Sequence, residues 1–146
     1  MTHSFPMPAV RSKLAIAIPS VVIAVLVVMA AVMAWICLGS RTIAVDRDRV
    51  TVEGRMYSTV IPRASIDAGG VRVVDLDKTP DLRPTYRSNG LALPGLREGW
   101  FRLANGKRAF VMLTDTSHVV VIPTSDAWLL LSARNSDELA ARLRAP

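Results

Sequence analysis

The sequence predicts an α+β fold dominated by β: one small β-rich domain, closed by a C-terminal helix and preceded by a single transmembrane helix. Three observations point to it. Residues 14–40 are 27 consecutive positions without a charged side chain. From Thr42 onward, short alternating apolar runs are separated by turn residues. Near the end, Asn135-Ser136-Asp137-Glu138 has the form of a helix start.

The charge-free run reads LAIAIPSVVIAVLVVMAAVMAWICLGS. Buried soluble helices seldom exceed about 10–14 uninterrupted apolar residues, whereas a bilayer core of ~30 Å needs about 20 residues at ~1.5 Å each. Leu14–Leu38 is therefore expected to hold the chain in a lipid bilayer. Pro19 to Leu38 supplies 20 residues, with Pro19 expected in the first turn, where its missing N–H costs little. The alternative is a removable signal peptide, since Arg11 and Lys13 precede the run. A cleaved signal has an apolar core of about 7–15 residues, much shorter than this one. A lipoprotein signal fails as well, because the bulky Ile36 precedes Cys37 where a small residue is needed. Signal anchor is the expectation, giving a tail (1–13), a transmembrane helix (14–40) and one domain (41–146), single-pass in the plasma (inner) membrane. Arg41, Arg47, Arg49 and Arg55 outnumber Arg11 and Lys13, which leans toward a cytoplasmic domain. Asp46, Asp48 and Glu53 are interleaved with them and weaken the bias. Cys37 is the only cysteine and lies in the span, so no intrachain disulfide forms.

Residues 41–146 hold 16 Lys/Arg and 12 Asp/Glu, a net charge of +4 with the signs mixed along the chain. Nucleic-acid arms and basic amphipathic helices concentrate their cations, so no nucleic-acid partner is expected.

Within the domain, Thr42–Val45 and Arg49–Val52 flank the turn Asp46-Arg47-Asp48. Tyr57–Ile61 follows, limited by Pro62 to an edge or a strand end, and Gly69-Gly70 opens Val71–Leu76. Asp77 to Glu98, with Pro80, Pro84, Asn89-Gly90 and Pro94-Gly95, shows little periodicity and reads as a functional or mobile loop. Asn105-Gly106 predicts a type I′ hairpin pairing Ala104 with Lys107, Leu103 with Arg108 and Phe101 with Phe110. Phe101, Leu103, Phe110 and Met112 then form a core face, and Trp100, Arg102, Lys107, Ala109 and Val111 a mixed one. Val119–Ile122 is a further strand. The final helix is expected to start with a capping box between Asn135 and Glu138 and to pack Leu139 and Leu143 on the sheet. Six or seven strands and one terminal helix make a barrel or sandwich plugged by a helix.

Little suggests chemistry. Asp115, Ser117 and His118 have the residue types of a hydrolase triad. They are nearly adjacent, so a Ser–His–Asp relay is out of reach and turn chemistry explains them better. His118, the distant His3 and Cys37 make no zinc set. Asp75, Asp77 and Asp81 lack the glycine and later glutamate of a calcium loop. Gly95 to Gly99 is followed by no Gly-Lys-Ser/Thr. No catalytic residue, cofactor, metal or small-molecule substrate is expected.

Gly90-Leu91-Ala92-Leu93-Pro94-Gly95, Gly99-Trp100-Phe101-Arg102-Leu103 and Asn105-Gly106 resemble the hallmark of bacterial pleckstrin-homology-like domains. Thr114-Asp115, Val119–Ile122 with Thr124, Leu130-Leu131-Ser132, and Ile61-Pro62 with Ile66 continue the resemblance over roughly Arg41 to Leu143. Leu96 departs from it, standing where an aromatic is expected. The resemblance implies a PH-like, seven-stranded, partly open β-barrel capped by the C-terminal helix, often placed after a membrane helix, with no established catalytic residues.

The function expected is a non-catalytic interaction or assembly module at the membrane, meeting a protein partner, a second copy or the lipid surface. The alternative is an accessory subunit of a membrane enzyme or transporter in which the domain is only a structural scaffold. The candidate contact surface is the stretch Arg83–Arg97, with Arg87 and Arg97, beside Trp100 and Arg102. For Trp100, simple packing at the barrel edge is an equally good reading. High-affinity phosphoinositide recognition is not expected, since in Val45–Arg49 two Asp cancel two Arg.

Overall fold

A computed structural model describes residues 13–145, with side chains from residue 17 onward. The chain divides into two compact units, one ending at Leu38 and one starting at Gly39.

The first unit is helix α1, Lys13–Leu38. Its stretch Ala17–Leu38 is long and apolar enough to cross a membrane. Pro19 is not in the first turn: the helix starts six residues earlier, so Pro19 lies inside it. It removes the bond that would run to the Ala15 carbonyl, a loss that membrane helices tolerate.

The second unit has nine strands among the described residues: β1 Thr42–Val45, β2 Arg49–Glu53, β3 Ser58–Pro62, β4 Arg72–Val74, β5 Pro84–Leu93, β6 Leu96–Leu103, β7 Arg108–Leu113, β8 Val119–Pro123 and β9 Trp128–Ser132. Helix α2, Ser136–Arg144, follows. The strands form a three-stranded sheet, β1-β2-β3, and a six-stranded sheet, β4-β8-β9-β7-β6-β5. Neighbours are antiparallel except β7 and β9, which run parallel. The two sheets do not close into a continuous barrel.

Both faces of the larger sheet are buried. Between the sheets, Val50 and Val52 meet Phe110, Met112, Val120, Ile122, Leu129 and Leu131, and α2 plugs this core with Ala140 and Leu143. On the opposite face Phe101, Leu103, Ala109, Val111, Val121 and Leu130 are covered by Leu76 and Leu82 from the segment before β5. Strands buried on two sides need apolar side chains in both directions, hence the unbroken apolar runs of β7 and β8.

This two-sided burial explains the register of the β6–β7 hairpin, which differs from the expected one. The Gly106 N–H donates to the Leu103 carbonyl at 2.9 Å, and the Leu103 N–H to that of Lys107 at 2.9 Å. Gly106 has φ +82°, while no described non-glycine residue has positive φ, so Asn105 is not in a type I′ turn. The turn is a three-residue loop, Ala104 to Gly106, closed by a glycine bulge, and the extra residue slides the pairing by one. Trp100 pairs with Phe110, Phe101 with Ala109 and Arg102 with Arg108. Phe101 and Phe110 therefore lie on opposite faces, each in its own core. A pattern that is apolar on both faces leaves the register to the turn alone.

The stretch read as a loop is largely ordered strand. Pro94-Gly95 makes a tight turn with Gly95 at φ +74°, pairing Leu93 with Leu96. β5 escaped the sequence reading because it is an exposed edge strand, broken by register shifts at Pro84/Tyr86 and Arg87/Asn89. Its other end is fixed by glycines. Gly90 faces Gly99, whose φ is +119°, and a Cβ on Gly99 would lie 2.6 Å from both the Asn89 oxygen and the Gly90 Cα. Gly99→Ala is expected to cost roughly 2–4 kcal/mol, from backbone strain and collision together. Gly95→Ala meets nothing within 4 Å and should cost only about 1–2 kcal/mol. Denaturant titration of the full-length variants in detergent checks this; equal losses would contradict the close approach.

The capping box at α2 does not form. Asn135 makes no cap bond to the backbone; its Nδ2 donates instead to Glu138 Oε2 at 3.2 Å. The helix start is held by the buried Ser136, whose hydroxyl bonds the carbonyls of His118 (2.8 Å) and Ala133 (2.9 Å). Leu143 is buried and Leu139 packs partly against the core, as expected. Asn135, then Arg142, hold the Glu138 carboxyl below the usual carboxylate range.

Candidate functional site

β6 carries the most informative side chains of the domain. Glu98, opposite Met112, points to the core between the sheets and is fully buried. Its Oε1 accepts the backbone N–H groups of Met56 and Tyr57, each at 2.9 Å, and its Oε2 lies 3.2 Å from Arg41 Nε. One carboxylate on the large sheet thus holds the residue leading into β1 and the turn between β2 and β3. Gly54 makes room for it: a Cβ there would lie 2.2 Å from Oε1. Sequence reasoning missed this staple because Glu98 fell in the stretch read as a loop. The signal available was a lone acid beside Leu96, Gly99 and Phe101, all of them buried.

Trp100, on the same face as Glu98, is half-buried. It meets Phe110 edge to face, with centroids 5.4 Å apart at 75°, and the Arg108 guanidinium lies 4.2 Å above its ring. Arg102 pairs with Arg108 and bonds the Gly106 carbonyl at 3.3 Å. Of the four residues read as a contact surface, the structure brings Trp100 and Arg102 together and adds Arg108. Arg87, opposite Phe101, and Arg97, opposite Leu113, are exposed on the other face of the sheet. Arg97 lines a cavity of about 360 Å³ with Pro94, Leu96 and Asp115. The four side chains do not converge, because strand residues at odd and even positions face opposite ways. A second aromatic site was not foreseen: Lys107 Nζ lies 5.4 Å and Arg72 Cζ 5.8 Å from the centre of the Trp128 ring.

Asp115, Ser117 and His118 form a compact turn. The Ser117 N–H donates to Asp115 Oδ1 at 2.9 Å, and the hydroxyl lies 2.9 Å from both carboxylate oxygens. It also lies 2.9 Å from His118 Nδ1. The order still differs from a relay: the serine stands between acid and imidazole, whereas a triad needs the imidazole in the middle. The Ser117 amide first, and its hydroxyl second, hold the Asp115 carboxyl below the usual carboxylate range. Ser132 Oγ fixes the same turn, accepting the N–H groups of Thr114 (3.3 Å) and Asp115 (3.2 Å).

The three loop acids serve separate bonds. Asp75 accepts the Asp77 N–H at 2.9 Å and pairs with Lys78 at 3.3 Å, the first of which chiefly lowers its pKa. Asp77 pairs with Arg83 at 3.4 Å, and the Asp81 carbonyl takes the Asn105 N–H. Among the described residues no group of His, Cys, Asp and Glu is placed to hold a metal ion; His3 lies outside them.

The geometry gives a physical reason for the motifs behind the resemblance: Gly99 is required by its backbone and its neighbour, and Trp100 is locked between Phe110 and Arg108. No curated protein and no solved structure matches the chain. The family described as Bacterial PH domain matches residues 41–145. With well over half its length covered, the chain belongs to the bacterial PH domain family.

Proposed function

We propose that this protein is a membrane-anchored, non-catalytic interaction or assembly module, single-pass in the plasma membrane with its domain in the cytoplasm. The observation behind this reading is that one chain joins a helix fit to cross a membrane to a bacterial PH domain. The polar side chains of that domain support it. Glu98 is spent on joining the two sheets, and the Ser117 hydroxyl is turned toward Asp115 within its own turn. The Arg-rich side chains and Trp100 at the β6–β7 hairpin have the chemistry of protein interfaces. The basic residues following the span support the cytoplasmic side.

Purification of the full chain from membranes in mild detergent tests this. A stoichiometric protein partner, or a stable complex of copies, is the expected result. A partner whose retention is unchanged when the surface Arg87, Arg97 and Arg102 are replaced by Ser, but lost on destabilising the core, supports the scaffold alternative instead. Labelling of Ser117→Cys by a membrane-impermeant thiol reagent, in intact and opened cells, reports the side; labelling in intact cells contradicts a cytoplasmic domain.

Lipid selectivity is a separate expectation. Arg47 and Arg49 alternate with Asp46 and Asp48 in the β1–β2 connection, all exposed. Each cation near an anionic surface contributes only about 1 kcal/mol, and each carboxylate opposes it. Full chain in nanodiscs of neutral phosphatidylcholine should therefore show no headgroup-selective binding of added phosphoinositide vesicles. Tight, selective binding abolished by Arg47→Ala with Arg49→Ala contradicts this.

A further inference from the structure

Almost no chain separates the apolar helix from the first residue fastened into the domain. Ala17–Leu38 contains 22 residues, about 33 Å at ~1.5 Å each, which matches a hydrocarbon core of ~30 Å. If α1 spans, Leu38 falls at the edge of that core, and the headgroup layer beyond it is only about 5–8 Å deep. Gly39 follows directly, about 3.8 Å on between Cα atoms. It is buried, its carbonyl accepts Arg41 Nη1 at 2.8 Å, and a Cβ on it would lie 2.5 Å from Arg55 Nε. A spanning α1 therefore puts the Arg55 side chain at headgroup depth.

The Glu98 staple ties the rest of the β2–β3 turn to the same point. One carboxylate oxygen takes the Met56 and Tyr57 N–H groups, and the other lies 3.2 Å from Arg41 Nε. The pairing of Thr42 with Glu53 and of Glu53 with Ser58 gathers the start of β1, the end of β2 and the start of β3 at one end of the small sheet. The β1–β2 connection, with Arg47 and Arg49, lies at the other end, about 13 Å away along the four residues of β1. At the near end Met56 is a large apolar side chain left 54% exposed.

We infer that the β2–β3 turn is a membrane-contact site, with Arg55 among the lipid phosphates and Met56 at the acyl boundary, so that the bilayer holds the domain by this end. The inference rests on the anchored reading and adds the face presented to the lipid. An unbranched thioether adapts to a disordered apolar boundary, and a guanidinium on a long apolar stem reaches phosphate while its stem stays in less polar surroundings. Glu53, exposed at the same end, opposes the cation, so charge alone would not recruit a free domain. The tether removes that need: it keeps the turn at an effective concentration on the order of mM, and a weak contact then suffices to orient the domain. Phosphate and acyl chain are common to all phospholipids, so the contact is unselective among headgroups.

The test uses the full chain carrying Cys37→Ser, reconstituted in vesicles of phosphatidylcholine and phosphatidylglycerol. An environment-sensitive fluorophore is placed at Ser58→Cys or, at the far end of the small sheet, at Arg47→Cys, and is quenched by a phosphatidylcholine bearing a headgroup nitroxide. The label at position 58 should be quenched severalfold more than that at position 47. Arg55→Gln should lower the equilibrium for contact about fivefold, the order of one cation at an anionic surface. Met56→Ser, which leaves the charge intact, should weaken it to a similar degree. Equal quenching at the two positions overturns the inference, as does quenching at position 58 that neither variant changes. Protection of position 58 from aqueous iodide without lipid quenching, lost on dilution into excess lipid, overturns it in favour of a contact between copies. Protein that fails to float with the vesicles overturns the anchored reading and this inference with it, whereas floating protein without the contrast between positions 58 and 47 overturns this inference alone.

Discussion

Replacing Glu98 by Ala is expected to destabilise the domain by about 3–5 kcal/mol, the usual cost of breaking a buried ion pair. The change leaves the Met56 and Tyr57 amides without their acceptor and removes the carboxylate beside Arg41, which is 12% exposed. Unpaired buried donors each cost about 1–3 kcal/mol, which is why the loss exceeds that of a surface pair. Glu98→Gln keeps an oxygen for the two amides and removes only the charge, so it should retain roughly half of the stability lost in the alanine variant. Gly54→Ala, which drives a methyl group toward Oε1, should act in the same direction. Thermal melts of the full chain in detergent read all three. If Glu98→Ala melts within about 4 °C of the parent, a shift worth only about 1 kcal/mol in a domain this size, the carboxylate is not the staple described.

Phe110→Ala is the second large effect, expected at roughly 3–5 kcal/mol because the ring is completely buried. More telling than its size is its coupling. Trp100 and Phe110 touch, so the double variant Trp100→Ala, Phe110→Ala should fall short of additivity by about 0.5–1.5 kcal/mol. Phe101 lies in the other core, and Phe101→Ala with Phe110→Ala should be additive within about 0.5 kcal/mol. Coupling between the two phenylalanines instead would restore the one-face hairpin that the Asn105-Gly106 turn suggests.

How much of this was legible beforehand depended on whether a local pattern had one physical meaning. The long apolar helix, the β1–β2 hairpin, the strand Val119–Ile122 and the packing side of α2 each rest on patterns of that kind, and each appears near the expected residues. The β6–β7 register did not, because alternation identifies a buried face only when the other face is polar. Here Phe101 and Phe110 are both buried on opposite faces. β5 was invisible for the converse reason: its outward edge, its bulges and its proline carry no apolar period. The contact residues fared accordingly. Arg87, Arg97, Trp100 and Arg102 are close in sequence, but the pleat sends two to each face. Glu98 and Trp128 gained their significance only from partners far away in sequence, Arg41 and Met56 for one, Arg72 and Lys107 for the other.

The stability effects concern how the domain is built; the functional reading depends on its being tethered. Alkaline carbonate extraction of membranes, with N-terminal sequencing of the recovered protein, addresses the tether most directly. The account predicts that the protein stays in the pellet with an N-terminus upstream of Leu14, since Ala17–Leu38 is long enough to span and carries no charged side chain. A soluble mature protein beginning after Ala34 would show that the helix is a removable signal, and would contradict the anchored module.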